Sequence, residues 1–177
     1  VELIEANGDR LQTGFVGTPY LLDTLTEIGR VDKAYTLLLQ EKFPSWLFSV
    51  NMGATTIWEH WDSVNENGEM WSTNMNSFNH YAYGSVASWI YGTMMGIKPT
   101  EPAYRTFDVS PIPNEQLGHA RCCIETRSGV IRSGWAYGEN EIRYTFEIPS
   151  GTVAHLTLTD GTDTVLTGGQ YTFITKK

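Results

Sequence analysis

Near residue 100 the spacing of apolar residues changes from three-and-four to two, and no single layer of one element type satisfies both patterns. Before the change, Thr18 and Pro19 predict a helix cap and first turn. Tyr20, Leu21, Leu22, Leu25 and Ile28 supply an apolar face, and Gly29 a stop. Val31, Ala34, Tyr35, Leu38 and Leu39 repeat the helical spacing through about Glu41, so two helices form a hairpin with a very short turn. After it, Ile142, Tyr144, Phe146 and Ile148 alternate with Arg143, Thr145 and Glu147, as in a strand with one face in a core.

Turn pairs at Ser128-Gly129, Glu139-Asn140, Ser150-Gly151, Asp160-Gly161 and Gly168-Gly169 recur every 8 to 11 residues, the rhythm of an antiparallel β-sandwich. The expected fold is therefore mainly α followed by all-β, with residues 1–100 helical and residues 101–177 a sandwich. Between Ser77 and about Met95 no Asp, Glu, Lys or Arg occurs, while Phe78, Tyr81, Tyr83, Val86, Trp89, Ile90 and Met94 do. A helix apolar all round belongs inside a larger helical assembly, so helices preceding Val1 are expected to be missing from this chain. Residues 62–76 form the one long irregular stretch, and loops of that length in compact domains are usually functional or disordered.

Charge narrows the partners. The chain carries a net charge of −8, which disfavours nucleic acid, because such binding needs clustered Lys and Arg. Residues 1–101 hold 12 acidic and 5 basic side chains, against 8 and 7 in residues 102–177, so the halves differ in kind. No stretch approaches the roughly 20 apolar residues of a membrane span, and no signal-like N-terminus is present. Cys122 and Cys123 are adjacent, which makes a disulfide between them awkward on a strand; they are read as buried thiols that leave the compartment undecided. Neither a zinc helix nor a phosphate-binding glycine loop occurs, so no metal site or cofactor is expected.

Five of the six tryptophans lie between Trp46 and Trp89. The densest cluster runs Gly53-Ala54-Thr55-Thr56-Ile57-Trp58-Glu59-His60-Trp61-Asp62, with Trp71, Asn76, Asn79 and His80 beyond it. Flat aromatic faces suit the C–H faces of a pyranose, and Asn, His and carboxylates suit its hydroxyls, so the natural ligand is a sugar. No Lys or Arg falls between Phe43 and Ile97, which favours a neutral one.

Glycoside hydrolysis needs two carboxyl groups about the scissile bond. Glu59 is the best candidate, since a carboxyl partly desolvated between two tryptophans is suited to proton transfer. Asp62, three residues on, would share its face on a helical turn. Structural explanations stand beside these readings. Glu59 after Thr55-Thr56 would also serve a capping box, Trp58 and Trp61 ordinary core packing, His80 a satisfied core histidine, and Asp62 an Asx turn.

Three motifs in order carry a family resemblance. They are Thr13-Gly14-Phe15-Val16-Gly17-Thr18 with Leu21-Leu22 and Gly29, then Gly53 to Glu59 with Trp61 and Asp62, and then Ser77-Phe78-Asn79-His80-Tyr81-Ala82-Tyr83-Gly84-Ser85-Val86. With Tyr104 to Phe107, Pro111, Gly118-His119-Ala120 and Gly134-Trp135 downstream, the chain resembles the C-terminal third of bacterial inverting α-L-rhamnosidases of the six-hairpin (α/α)6 barrel type.

The resemblance implies that Glu59 is the general base that deprotonates the attacking water. It also implies that His80 contacts the rhamnose, with Trp58 or Trp61 walling the pocket and Asp62 beside them. The general acid would lie in an earlier part of the barrel, so this chain alone would be inactive. Its partners would be a rhamnose-containing glycoside or polysaccharide and the missing N-terminal half of the same protein. A non-catalytic carbohydrate-binding module and an α/α-barrel glycosidase for another neutral sugar remain rivals. The concentration of aromatics in the helical half, against Trp135 alone among tryptophans in the β half, favours an enzyme over a binding module.

Overall fold

A computed structural model describes residues 1–177. The contacts divide the chain into two compact units, Val1–Ala87 and Ser88–Lys177. The division falls within a helical run that begins at Ala82 and ends at Met94.

The first unit holds α1 (Glu2–Ala6), α2 (Thr18–Glu27), α3 (Val31–Leu38) and α4 (Trp46–Asn51). α2 and α3 form the expected hairpin, turned at Gly29, whose φ of 76° is a left-handed value that glycine adopts without a Cβ penalty. Leu22 and Leu25 of α2 and Ala34, Tyr35, Leu37 and Leu38 of α3 are buried. Tyr20 and Ile28, placed on the apolar face by spacing, are exposed instead. Thr18 is not the cap. Gly17 is, and the Thr18 hydroxyl donates back to the Gly14 carbonyl at 2.9 Å, so it closes the preceding turn rather than the helix end. α3 stops at Leu38, short of Glu41. α4 was not foreseen; buried Ser45 caps it by accepting the Phe48 N–H at 3.0 Å.

The helix expected over 77–95 is shorter and less regular. Helical geometry begins at Ala82 as a 3-10 turn, continues through α5 (Val86–Trp89) and ends as a π turn over Ile90–Met94. Ser77–Tyr81 is irregular, and Tyr81 is largely exposed. Backbone groups of this stretch bond to an adjacent segment, as described below, and are therefore not free to close a helical ladder.

The second unit carries two four-stranded sheets. One has the order β1 (Ile97–Pro99), β2 (Thr106–Val109), β6 (Val153–Thr157), β7 (Asp163–Leu166). The other has the order β3 (His119–Thr126), β4 (Gly129–Tyr137), β5 (Glu141–Ile148), β8 (Gly169–Lys176). All five turn pairs fall at connections between consecutive strands of this unit. Pairing is antiparallel except between β2 and β6, which run parallel.

Alternate residues build the core, namely Ile131, Trp135, Ile142, Tyr144 and Phe146 from one sheet and Phe107, Val109, Ala154 and Leu156 from the other. Two buried polar side chains beside them are satisfied by the backbone. Ser133 Oγ donates to the Met95 carbonyl at 2.8 Å and Trp135 Nε1 to that of Met94 at 3.0 Å.

Cys122 is partly buried, but Cys123 faces solvent, so only one of the two thiols is sheltered. Period-2 alternation forces this result, since a strand cannot turn two neighbouring side chains to the same face. Burial pushes the Cys122 thiol up to about 11. No helix is long and apolar enough to cross a membrane.

Candidate functional site

From Gly53 to Tyr81 the first unit has neither helix nor strand, and the cluster singled out in the sequence lies here. Glu59 and Asp62 are thus not on a helical turn. Two irregular segments, 56–59 and 77–80, run side by side and exchange hydrogen bonds instead. Glu59 N–H donates to the Ser77 carbonyl at 2.9 Å, and His80 N–H to that of Ile57 at 2.8 Å. The Thr56 hydroxyl donates to the Phe78 carbonyl. Trp58 is buried with its ring edge-on to Phe78, centroids 5.5 Å apart, and so holds the paired segments together from the core side.

This pairing fixes the carboxylate. Ser77 N–H donates to Glu59 Oε2 at 2.7 Å, a charge-assisted bond worth roughly 1.5–3 kcal/mol that fixes the group's orientation. Glu59 is half-buried, and Oε1 accepts no hydrogen bond from the protein. No helix begins at Thr55 or Thr56, so neither the capping box nor the helix dipole accounts for this residue.

His80 belongs to the other segment of the same pair. Its ring stacks on Phe15 at 4.6 Å and lies parallel to Tyr81 at 5.7 Å. Nδ1 accepts the Ala82 N–H at 3.4 Å, which in the neutral ring leaves Nε2 as the donor. Phe15 sits in the Gly14-Phe15-Val16-Gly17 turn and also packs on Tyr83 at 5.2 Å. That turn, too short for a nucleotide loop, holds the histidine ring.

Trp61 stacks on Tyr83 at 3.7 Å and meets the Trp46 ring edge-on at 5.5 Å, and Trp46 Nε1 donates to the Tyr83 carbonyl at 2.9 Å. Asp62 is half-buried and close enough to Tyr83 to push its phenol up, second to the effect of burial. Asp62 also lines a hollow of about 340 Å³ with Phe43, Phe48, Asn65, Glu66 and Asn67.

The pairing thus brings Glu59 and His80 onto one frame, with Trp58 behind it. Trp61 and Asp62 follow directly after the first of these irregular segments, both close to Tyr83. Three residues of the motifs contribute in ways the sequence does not assign. Ser77 acts through its backbone N–H, which any residue has, Phe15 lies far off in sequence, and His60 stacks on Trp71 at 3.9 Å across the loop. No group of three or more His, Cys, Asp or Glu side chains is placed to hold a metal ion.

Comparison with known proteins identifies both parts. Residues 1–94 match the family model described as the bacterial α-L-rhamnosidase six-hairpin glycosidase domain, and residues 96–173 match the bacterial α-L-rhamnosidase C-terminal domain. An α-L-rhamnosidase of Streptomyces avermitilis is 42% identical over 156 residues, covering 88% of this chain and 15% of that protein. One of Formosa agariphila is 37% identical over 166 residues, covering 93% and 18%. The chain therefore spans less than a fifth of the length of these relatives.

Among solved structures, the α-L-rhamnosidase of Streptomyces avermitilis complexed with L-rhamnose superposes with a TM-score of 0.89 at 36% identity, over 99% of this chain and 19% of that one. The α-L-rhamnosidase of Aspergillus terreus gives 0.91 at 35% identity, over 98% and 20%. With family models matching both units in order, the chain belongs to the bacterial α-L-rhamnosidase family, its first part to the six-hairpin glycosidase domain and its second to the C-terminal domain.

Proposed function

We propose that this chain forms part of a glycoside hydrolase that removes terminal α-L-rhamnose with inversion, and that Glu59 is its general base. The observation that carries the reading is the half-pinned carboxylate. Ser77 N–H holds Oε2 at 2.7 Å while Oε1 stays unengaged, so the group is oriented yet keeps one oxygen to accept a proton from water. As the water oxygen bonds to the anomeric carbon, its proton passes to Oε1. The bond from that carbon to the leaving oxygen breaks on the opposite face. The proton for the leaving oxygen comes from a second carboxylic acid, which the family resemblance places in an earlier part of the barrel and which inversion requires about 6.5–9.5 Å from Glu59 with water between them.

His80 donates from Nε2 to a sugar hydroxyl. Trp61 and Asp62 line the pocket wall, and Trp58 supports the base from beneath. The substrate is a rhamnose-containing glycoside or polysaccharide, and the remainder of the barrel is the partner that completes the site. The division into a catalytic part at 1–100 and a sandwich at 101–177 belongs to the same reading.

A hybrid enzyme in which this chain replaces the matching segment of the Streptomyces avermitilis relative tests it. Hydrolysis of an aryl α-L-rhamnoside, with aryl α-L-arabinoside and β-D-glucoside left uncut, is the expected result. Turnover of another glycoside in preference, or none of the rhamnoside by a folded hybrid, would refute it.

A further inference from the structure

A hollow of about 580 Å³ lies on the second unit, on the outer face of the β3–β4–β5–β8 sheet. Its size falls in the range of roughly 300–1,000 Å³ usual for small-molecule sites. Strand register explains why it exists. One row across the sheet reads Arg121, Gly134, Thr145, Thr172, and the next reads Cys123, Arg132, Glu147, Gln170. Gly134 has no side chain to fill the centre of the first row. A Cβ there would come within 2.9 Å of Thr145 Oγ1. The Gly134-Trp135 pair, which the catalytic reading leaves unused, thus does two things at once. Trp135 fills the core on one face, and Gly134 hollows the other.

The chemistry of the walls is uneven. Arg132 is paired with Glu147. Arg121 has no ion pair and no hydrogen bond from its guanidinium, and it lines the same hollow as Thr145 two strands away and Thr172 and Gln170 three strands away, at the far side of the sheet. A free planar guanidinium matches a carboxylate or sulfate bidentately, and hydroxyl and amide groups match sugar hydroxyls. The overall charge of −8 does not oppose an acidic ligand here, because the excess of acid lies in residues 1–101.

The geometry points to a second saccharide site on the sandwich, specific for a sugar that carries an acidic group, with Arg121 holding the anion and Thr145, Thr172 and Gln170 the hydroxyls. Its occupancy requires no catalysis. It would hold an acidic segment of a polysaccharide while another part of the enzyme works on a neutral one.

Binding is read by NMR titration with trigalacturonate at low salt, run on the 177-residue chain and on the hybrid enzyme. The expected result is a Kd at or below roughly 1 mM, with shifts confined to amides of β3, β4, β5 and β8. Fully methyl-esterified trigalacturonate, or the exposed-site variant Arg121→Gln, should bind at least ~10-fold more weakly. Several outcomes overturn the proposal. These are absence of binding, equal binding of acid and ester, unchanged binding in Arg121→Gln, or sodium sulfate matching trigalacturonate. Binding to the chain but not to the hybrid also overturns it, since the hollow would then be an internal contact surface. None of these readouts depends on rhamnoside hydrolysis, so the two proposals fail separately.

Discussion

Replacing Gly96 by alanine should unfold the second unit far more readily than the same change at Gly161, although both glycines have left-handed φ values, 76° and 90°. At Gly161 a new Cβ meets nothing within 4 Å, so the cost is conformational, about 1–2 kcal/mol for a left-handed alanine. A gain of about 0.4–1 kcal/mol from the stiffer unfolded chain partly offsets that. At Gly96 the Cβ would lie 2.2 Å from Pro111 N and 2.2 Å from the Ser110 carbonyl carbon, both backbone atoms that no rotamer change can move. Relief requires shifting the chain and with it the Ser110 N–H bond to the Gly96 carbonyl, 2.9 Å long, beside the β1–β2 pairing. Loss of that bond and of local packing adds at least ~2 kcal/mol, a large share of the 5–15 kcal/mol that stabilises a typical domain. Urea unfolding followed at the NMR amide signals of β4 and β5 reports this unit. With a slope of about 1–2 kcal/mol per molar, the Gly96→Ala midpoint should fall at least ~1 M below that of Gly161→Ala. Midpoints within ~0.3 M of each other would refute the close approach at Gly96.

Two further changes test other parts of the structure. Trp46→Phe keeps the ring against Trp61 but removes the Nε1 donor to the buried Tyr83 carbonyl, and it should cost about 1–3 kcal/mol in unfolding of the first unit. A cost under ~0.5 kcal/mol would show that bond to be dispensable. For the cysteines, Cys123 should be alkylated by iodoacetamide at pH 8, whereas Cys122 should resist. With its thiol pushed up to about 11, Cys122 is almost wholly protonated below pH 10 and becomes reactive only as pH approaches that value. Equal modification of both at pH 8, read by peptide mass, would contradict the burial.

Much of the fold was legible because its signals are local. A strand buried on one face must alternate, so β5 could be read from Ile142 to Ile148, and turns need Gly, Asn or Asp, so the connections could be read as well. Apolar content alone does not specify a helix. Ser77–Tyr81 is aromatic and uncharged, yet its backbone bonds to 56–59, a pairing between segments some twenty residues apart that no local period reveals. Thr18 failed for a similar reason, its hydroxyl serving the preceding turn. The site shows the same division. Glu59, His80, Trp61 and Asp62 stood out as residue types, whereas Ser77 contributes a backbone N–H and Phe15 a distant ring, roles that residue type alone does not reveal.

Glu59→Gln in the hybrid enzyme tests the central assignment most directly. The amide keeps the size of the side chain and an oxygen for the Ser77 N–H, but it cannot take a proton from water. With an aryl α-L-rhamnoside as substrate, and the anomer released by the unsubstituted hybrid followed by NMR, kcat should fall at least ~10²-fold while KM changes little, and β-rhamnose should appear first. Turnover within a few-fold of the unsubstituted hybrid would contradict Glu59 as the base, and α-rhamnose as first product would contradict inversion.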